Sequence, residues 1–423
     1  MSTVSIFFEY DQLSGIDFGP GTIKLEFKAM LNGGYILRAS LRDYKFTSIK
    51  RLIKAGYFKE SRSEPIYITF AISDGTGENE IGVNKTKVQR AIILSINVKT
   101  RGYDESTIEF IAIDPASWYL NRGEAGGEVY RGNLSSAIRQ MIDNYGYGII
   151  EHTVSDTIDS EQNRWYMMRM DPKTWIGSVL DWSSAITKTK TNFILEMDGF
   201  KLFMREQGLI PSKERLFIET FTGVNEILES ELLIDNALSL VETKLLTQGC
   251  SALSGNYIEN VFVGDDNTKS KQLARIPNNE EDNYYSFVKP ATEIIDGNAT
   301  GYTRIDSIPE LYNGGEIGIE YKEYIDGRAR SLYLSMVNNL LRSRIRMRGQ
   351  ASFSDSMGLG VDTIYIRWMD RVERGEHYWY TGNWLLYGFN HIVERGVWTT
   401  DLYISRYDFD ASGIKNPPAK PNP

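Results

Sequence analysis

The 423 residues hold one cysteine, three histidines and twelve prolines. With Cys250 alone no intramolecular disulfide can form, which excludes a secreted disulfide scaffold. A catalytic thiol needs a base beside it, and the imidazoles are limited to His152, His377 and His391, so Cys250 reads as a small residue near a strand. Paired cysteines and a His-Glu-x-x-His run are both missing, and His377 and His391 sit on different expected strands. No zinc site, other metal or cofactor is therefore expected. No stretch approaches the ~20 apolar residues of a membrane span. Basic charge is not in excess: 47 Lys and Arg face 56 Asp and Glu, for a net charge of −9. That argues against stable nucleic-acid binding, although an acidic wall would let DNA slide past without sticking. The opening Met-Ser-Thr-Val-Ser-Ile-Phe-Phe-Glu has no basic n-region and no cleavage site, so folding in a reducing cytoplasm is expected.

What is present is aromatic: 25 Tyr, 18 Phe and 8 Trp, with 37 Gly. Aromatic and β-branched side chains suit a pleated, half-buried surface, so the composition leans toward β structure. The length fits about two to four domains.

Residues 1–121 read as a first antiparallel barrel. Thr22 to Ala29 alternates apolar and polar, a turn at Gly33-Gly34 follows, and Tyr35 to Leu41 returns. Ile66 to Ile72, Lys87 to Thr100 and Ser106 to Ile113 supply further strands, with one helical piece from Phe46 to Ala55. Residues 122–235 change character, as an α+β insertion. Leu134, Ala137, Ile138, Met141 and Ile142 form the stripe of an amphipathic helix capped by Asn133 and ending near Gly146. A second helix is expected from Thr174 to Thr187. A hairpin then joins Asn192–Met197 to Phe200–Met204 through Asp198-Gly199.

Residues 236–265 and 321–406 read as a second barrel. Its expected parts are strands at Leu238–Leu246 and Tyr257–Val263, a long helix at Gly327–Met347, and strands at Thr363–Trp368, Asn383–His391 and Val397–Ser405. Residues 266–320 read as a loop-rich insertion and 407–423, ending in four prolines, as an extended tail. The fold class is thus mainly β with α+β insertions: two tube-like antiparallel β-barrel domains related by pseudo-symmetry, plus the extended tail.

The motifs carry little chemistry. Glu280-Glu281-Asp282 reads as a solvated loop rather than a hydrolase pair. Gly358-Leu359-Gly360 is followed by no phosphate-cradling helix, and Asp74-Gly75-Thr76-Gly77 reads as a turn. No catalytic, cofactor or metal residue is assigned. Arg328, Arg330, Arg342, Arg344, Arg346 and Arg348 line the expected long helix, either as a solvated face or as an ion-pair surface between subunits.

The last ninety residues resemble a known family. Asn383 to His391, a short turn at Gly396, and a returning strand with Thr399-Thr400 look like the end of phage tail hub proteins and of type VI secretion VgrG proteins. Asp171 to Phe203, with Trp175-Ile176, Leu180, Trp182 and the Asp198-Gly199 hairpin, is similar to the family's helix-then-hairpin insertion. The resemblance implies a non-enzymatic, homotrimeric hub in a contractile-tail baseplate, made in the host cytoplasm and residing in the virion. Each subunit gives two tube-like barrels, so three make a pseudo-sixfold ring. A tail tube protein would meet one face and a central spike protein the other, with further baseplate proteins around it and DNA passing through the lumen. No VgrG-like β-helix follows, so the spike is expected on a separate chain. His391 and Thr399-Thr400 then serve strand pairing and packing. The alternatives are a baseplate-associated cell-wall hydrolase and a glycan-binding protein.

Overall fold

A computed structural model describes residues 3–9, 22–54, 65–74, 85–101, 105–122, 128–154, 163–167, 171–177, 192–207, 214–219, 227–234, 250–251, 254–258, 270–272, 341–351, 358–360, 363–367 and 381–406. In chain order the elements begin with β1 (Thr3–Glu9), β2 (Thr22–Met30), β3 (Gly34–Tyr44), α1 (Thr47–Lys54), β4 (Tyr67–Ser73), β5 (Gln89–Arg101) and β6 (Glu105–Ile113). Next come α2 (Pro115–Leu120), β7 (Glu128–Gly132), α3 (Leu134–Tyr145), β8 (Glu151–Val154), β9 (Asn163–Met167), β10 (Asn192–Asp198), β11 (Lys201–Gln207), β12 (Glu214–Glu219) and β13 (Ile227–Ile234). The rest are β14 (Cys250–Ser251), β15 (Ser254–Ile258), β16 (Ser270–Gln272), β17 (Leu341–Arg348), β18 (Thr363–Arg367), β19 (Gly382–Glu394) and β20 (Val397–Arg406). The chain is mainly β, as its composition implies.

Twelve strands share one sheet, whose main path runs β1-β4-β5-β6-β3-β2-β19-β20-β17-β13, with β18 joining β12 to β19. Every pairing on the main path is antiparallel; β12 and β18 run parallel. The path is continuous because β2 pairs with β19, so Phe27 lies opposite His391 and Lys28 opposite Asn390. A strand from the first thirty residues and one from the last fifty therefore pair at the middle of the sheet.

Alternation makes this sheet. In β3, Tyr35, Leu37, Ala39 and Leu41 are buried while Ile36, Arg38 and Arg42 face out, the period of two that one buried face demands. Phe27 sits at the centre of the main core, edge-on to Tyr35, Phe70 and Phe389 at centroid distances of 5.3, 5.0 and 5.5 Å. Gly349 has no Cβ for a specific reason: a Cβ there would lie 2.1 Å from the Trp398 ring. The β19–β20 turn is Arg395-Gly396, with φ of 52° and 78°, a two-residue turn whose twist matches the flanking strands.

A second core lies between α2, α3 and the β10–β11 hairpin. The five stripe residues of α3 are all fully buried, Asn133 caps the helix by accepting from Ser136 N at 2.9 Å, and Gly146 ends it. Trp175 and Leu202 pack in the same cluster, and Ile92 of β5 contributes from the large sheet. The helix expected at Thr174–Thr187 is described over 172–177, where Asp171 Oδ1 accepts from Thr174 N at 2.8 Å, so the turn starts earlier than its apolar spacing suggested. The remainder of that helix lies outside the described residues.

Other corrections follow from turn and strand chemistry. The β10–β11 turn is Gly199-Phe200, with Asp198 still paired to Lys201, because Gly199 supplies the left-handed φ of 68°. The β2–β3 turn is Leu31 to Gly33, and Gly34 already pairs with Met30. Ser270–Gln272, within the expected loop-rich insertion, is strand β16 paired with β15. The expected helix at Gly327–Met347 is contradicted where it is described: Leu341–Arg348 is strand β17, paired with β13 and β20. Ser343, Ile345 and Met347 are buried and alternate with the arginines, a period of two that the leucines at 340 and 341 had disguised. Arg328 and Arg330, the strand expected at Leu238–Leu246, Glu280-Glu281-Asp282, His377 and the tail at 407–423 lie outside the described residues. Of Tyr257–Val263, only Tyr257 and Ile258 are described, at the end of β15.

Candidate assembly surface

The residues with the most chemistry are not brought together. His152 Nε2 lies 3.0 Å from Asp143 Oδ1 on the three-stranded β10-β11-β8 sheet, whereas His391 is in the main core. Among the described residues no three of His, Cys, Asp and Glu form a group that could hold a metal. No helix there is long and apolar enough to cross a membrane. Leu359 is buried in the main core and Gly360 N donates to Leu386 O at 2.7 Å, so Gly358-Leu359-Gly360 packs against β19. His391 pairs with Thr400 across the β19–β20 ladder, and its Nδ1 lies 2.8 Å from Thr400 Oγ1.

The outer face of the sheet is a ladder of charges. Arg346 makes a bidentate pair with Asp401, at 2.7 and 3.0 Å, and reaches Glu229 Oε2 at 2.9 Å. Arg344 lies 3.4 Å from Glu229 and 3.5 Å from Glu231. These residues stand opposite one another in register, Glu229 to Arg346 and Glu231 to Arg344, across β13 and β17. Arg344 and Arg346 thus lie on a strand rather than a helix, and each has carboxylate partners within the chain. Further along, Lys28 lies over the Tyr403 ring at 4.9 Å and Asn390 Nδ2 donates to Glu26 at 3.1 Å. Asp401 is buried while Arg346 is half-exposed. Arg346→Met should therefore lower stability by about 2–3 kcal/mol, since it strands a buried carboxylate. Arg346→Lys should recover part of that loss, and a chemical-denaturation series on the three proteins measures both.

The second core is fastened to the sheet through a polar joint that local sequence patterns do not announce. Asp114 is fully buried and caps α2, accepting from Ser117 N at 3.1 Å, while its other oxygen accepts from Gly199 N at 2.9 Å in the β10–β11 turn. Ala116 N donates to Gly199 O at 2.9 Å, and Asp114 N to Tyr35 O at 2.9 Å. The β2–β3 turn joins in: Asn32 N donates to Leu195 O at 3.1 Å, its Oδ1 accepts from Leu195 N at 2.9 Å, and Lys173 Nζ donates to Gly33 O at 3.2 Å. Lys87 and Asp198 close the rim as an ion pair. The Asp114-Pro115 dipeptide was a readable signal, because proline is favoured at the first helical position after a capping acid.

No family model matches the sequence, and no curated protein does. Solved structures do share the fold. A 43 kDa tail protein of prophage MuSo2 from Shewanella oneidensis superposes with a TM-score of 0.54 at 10% identity, covering 96% of this chain and 99% of that one. The tail protein from Neisseria meningitidis MC58 gives 0.53 at 10% identity, covering 99% of each. A chain of the Francisella PdpA–VgrG complex gives 0.51 at 10% identity, covering 100% of this chain and 59% of that one. The fold is thus shared with these two tail proteins and with part of a chain in the PdpA–VgrG complex.

Proposed function

We propose that the chain is the structural hub of a contractile-tail baseplate. Three copies form a ring, residues 1–121 and 236–265 with 321–406 act as its two tube-like units, and the ring joins a sixfold tail tube to a threefold central spike. In this reading the protein belongs to the virion tail, its role is structural rather than catalytic, and DNA crosses its lumen on ejection. The observation that carries the reading is fold likeness to two tail proteins, one of them from a prophage, along almost the whole of both chains. The likeness to a chain of the PdpA–VgrG complex supports a place within a larger assembly. The large sheet supports a mechanical role: its outer face is laced by ion pairs, and the second core is fixed to it by buried polar contacts. Light scattering on the purified chain tests the proposal. A mass near three times 48.2 kDa, with hollow pseudo-sixfold rings in negative stain, is expected. A compact monomer that clears peptidoglycan or binds cell-surface glycan would overturn it.

A further inference from the structure

The acidic chain carries one conspicuously basic element. Residues 42–54 include Arg42, Lys45, Lys50, Arg51 and Lys54 against a single acid, Asp43, a local charge of +4 in a chain of −9. Asp43 does not offset this at the surface. It is buried, and its carboxylate is turned inward to cap α1, accepting from Ser48 N at 2.8 Å and Ile49 N at 3.1 Å. The turn before the helix has two successive left-handed residues, Lys45 at φ 57° and Phe46 at 55°. Such a pair is unusual for side chains of this size. It is held by the Asp43 cap and by Thr47 Oγ1, which donates to Tyr44 O at 3.0 Å. The result is a fixed surface on which Arg42, Lys45 and Lys50 are exposed, together with Tyr44 and Ile53 at 56% and 58% exposure. Tyr and Arg are the residue types enriched at the centres of protein contacts, and Tyr44 and Arg42 stand exposed side by side here, followed along the chain by the two exposed lysines.

We propose that α1 and its feeding turn form the basic half of a contact between copies of this chain, docking on the acidic surface of the neighbouring copy. The inference rests on the trimeric reading above and names the face that makes the ring. Charge complementarity selects the occupant: outside residues 42–54 the chain holds the whole acidic excess, so a second copy presents the opposite sign. Two α1 faces repel each other, so the contact is heterologous, the kind that generates a closed ring when its rotation closes.

The test compares the full-length chain with Lys45→Glu/Lys50→Glu and with Lys45→Arg/Lys50→Arg, using light scattering across concentration at low and high salt. At high salt and low concentration, where assembly is weakest, all three should melt alike, because both positions are exposed. The native chain should assemble more weakly in high salt. The glutamate pair should raise the apparent dissociation constant about tenfold or more at low salt and flatten the salt dependence, while the arginine pair behaves as the native chain. A glutamate pair that assembles with unchanged affinity and salt response overturns the inference and leaves the trimer standing. A native chain that stays monomeric throughout overturns both. If assembly is unchanged but the native chain alone binds duplex oligonucleotide or anionic vesicles, the face belongs to phosphates and the inference fails.

Discussion

Replacing Asp114 with alanine should lower stability by about 3–5 kcal/mol, the sum of a lost helix cap and of buried N–H groups left without an acceptor. The size follows from one side chain serving two elements. Its carboxylate closes the first turn of α2 and also holds the Gly199 amide, so it sets both the helix start and the seat of the β10–β11 hairpin. Amide exchange should report this directly: the Gly199 and Ser117 amides lose protection while the β19–β20 ladder keeps its own. Unchanged Gly199 protection in the alanine variant would show that the hairpin is held elsewhere. The same residue makes the joint pH-dependent. Burial pushes the carboxyl up to about 8, with repulsion from Asp198 adding to it and the N–H bonds from Ser117, Gly199 and Ala116 opposing it. The folded chain then holds a proton that the unfolded chain releases near 3.8. This group's contribution is fully present below the unfolded value and is lost as pH rises through the folded one. Asp114→Asn keeps one acceptor oxygen and cannot titrate, so its deficit against the native chain should be largest below pH 3.8 and shrink steadily toward pH 8.

Much of this architecture was legible where the signal is local. Asn133 and the spacing from Leu134 to Ile142 announce α3, and the alternation of β2 and β3 announces the first hairpin. The run from Asn383 to Ser405 reads as two strands about a Gly turn. What failed was nonlocal. Strand β17 alternates as strictly as β3, yet arginine and leucine are good helix formers, and leucines 340 and 341 with Ile345 fit a helical stripe. The partners that settle the matter, Asp401 and Glu229, lie 55 and 117 residues from Arg346. The β2–β19 junction is similar: Glu26 and Asn390 are 364 residues apart and meet only in the sheet. The Asp114 cap was readable, but its burial under the hairpin was not, because nothing local to residues 114–117 shows what will cover them. The basic stretch at 42–54 is visible as charge in the sequence; that Asp43 turns inward is visible only in the fold.

Acid should unfold the centre of the sheet through His391. Its ring is fully buried among Phe389, Trp398 and Phe27, at centroid distances of 5.0, 5.4 and 5.9 Å. The Trp398 indole can only donate, and its Nε1 lies 3.3 Å from Nδ1. Nδ1 is therefore the acceptor, shared with the Thr400 hydroxyl, whose oxygen accepts from Gln350 N at 3.2 Å. The proton of the neutral ring then sits on Nε2, which is buried without a hydrogen-bond partner among the described residues. A second proton would put a charge in the core and an N–H against two donors. Burial accordingly lowers the pKa from 6.5 to about 3. The unfolded chain takes up its proton near 6.5 and the folded chain only near 3. Stability from this group is full above 6.5 and is lost as pH falls toward 3. The loss reaches about 4–5 kcal/mol at about 1.4 kcal/mol per pH unit. His391→Phe keeps the ring volume and removes the titration. It should be less stable than the native chain at pH 7, where Trp398 and Thr400 lose their acceptor, and should overtake it on the way to pH 4. Guanidinium unfolding at each pH, followed by exchange protection of the β19–β20 amides, measures the crossing. Native and variant curves that run parallel from pH 7 to pH 4 would mean that the acid sensitivity lies in other groups.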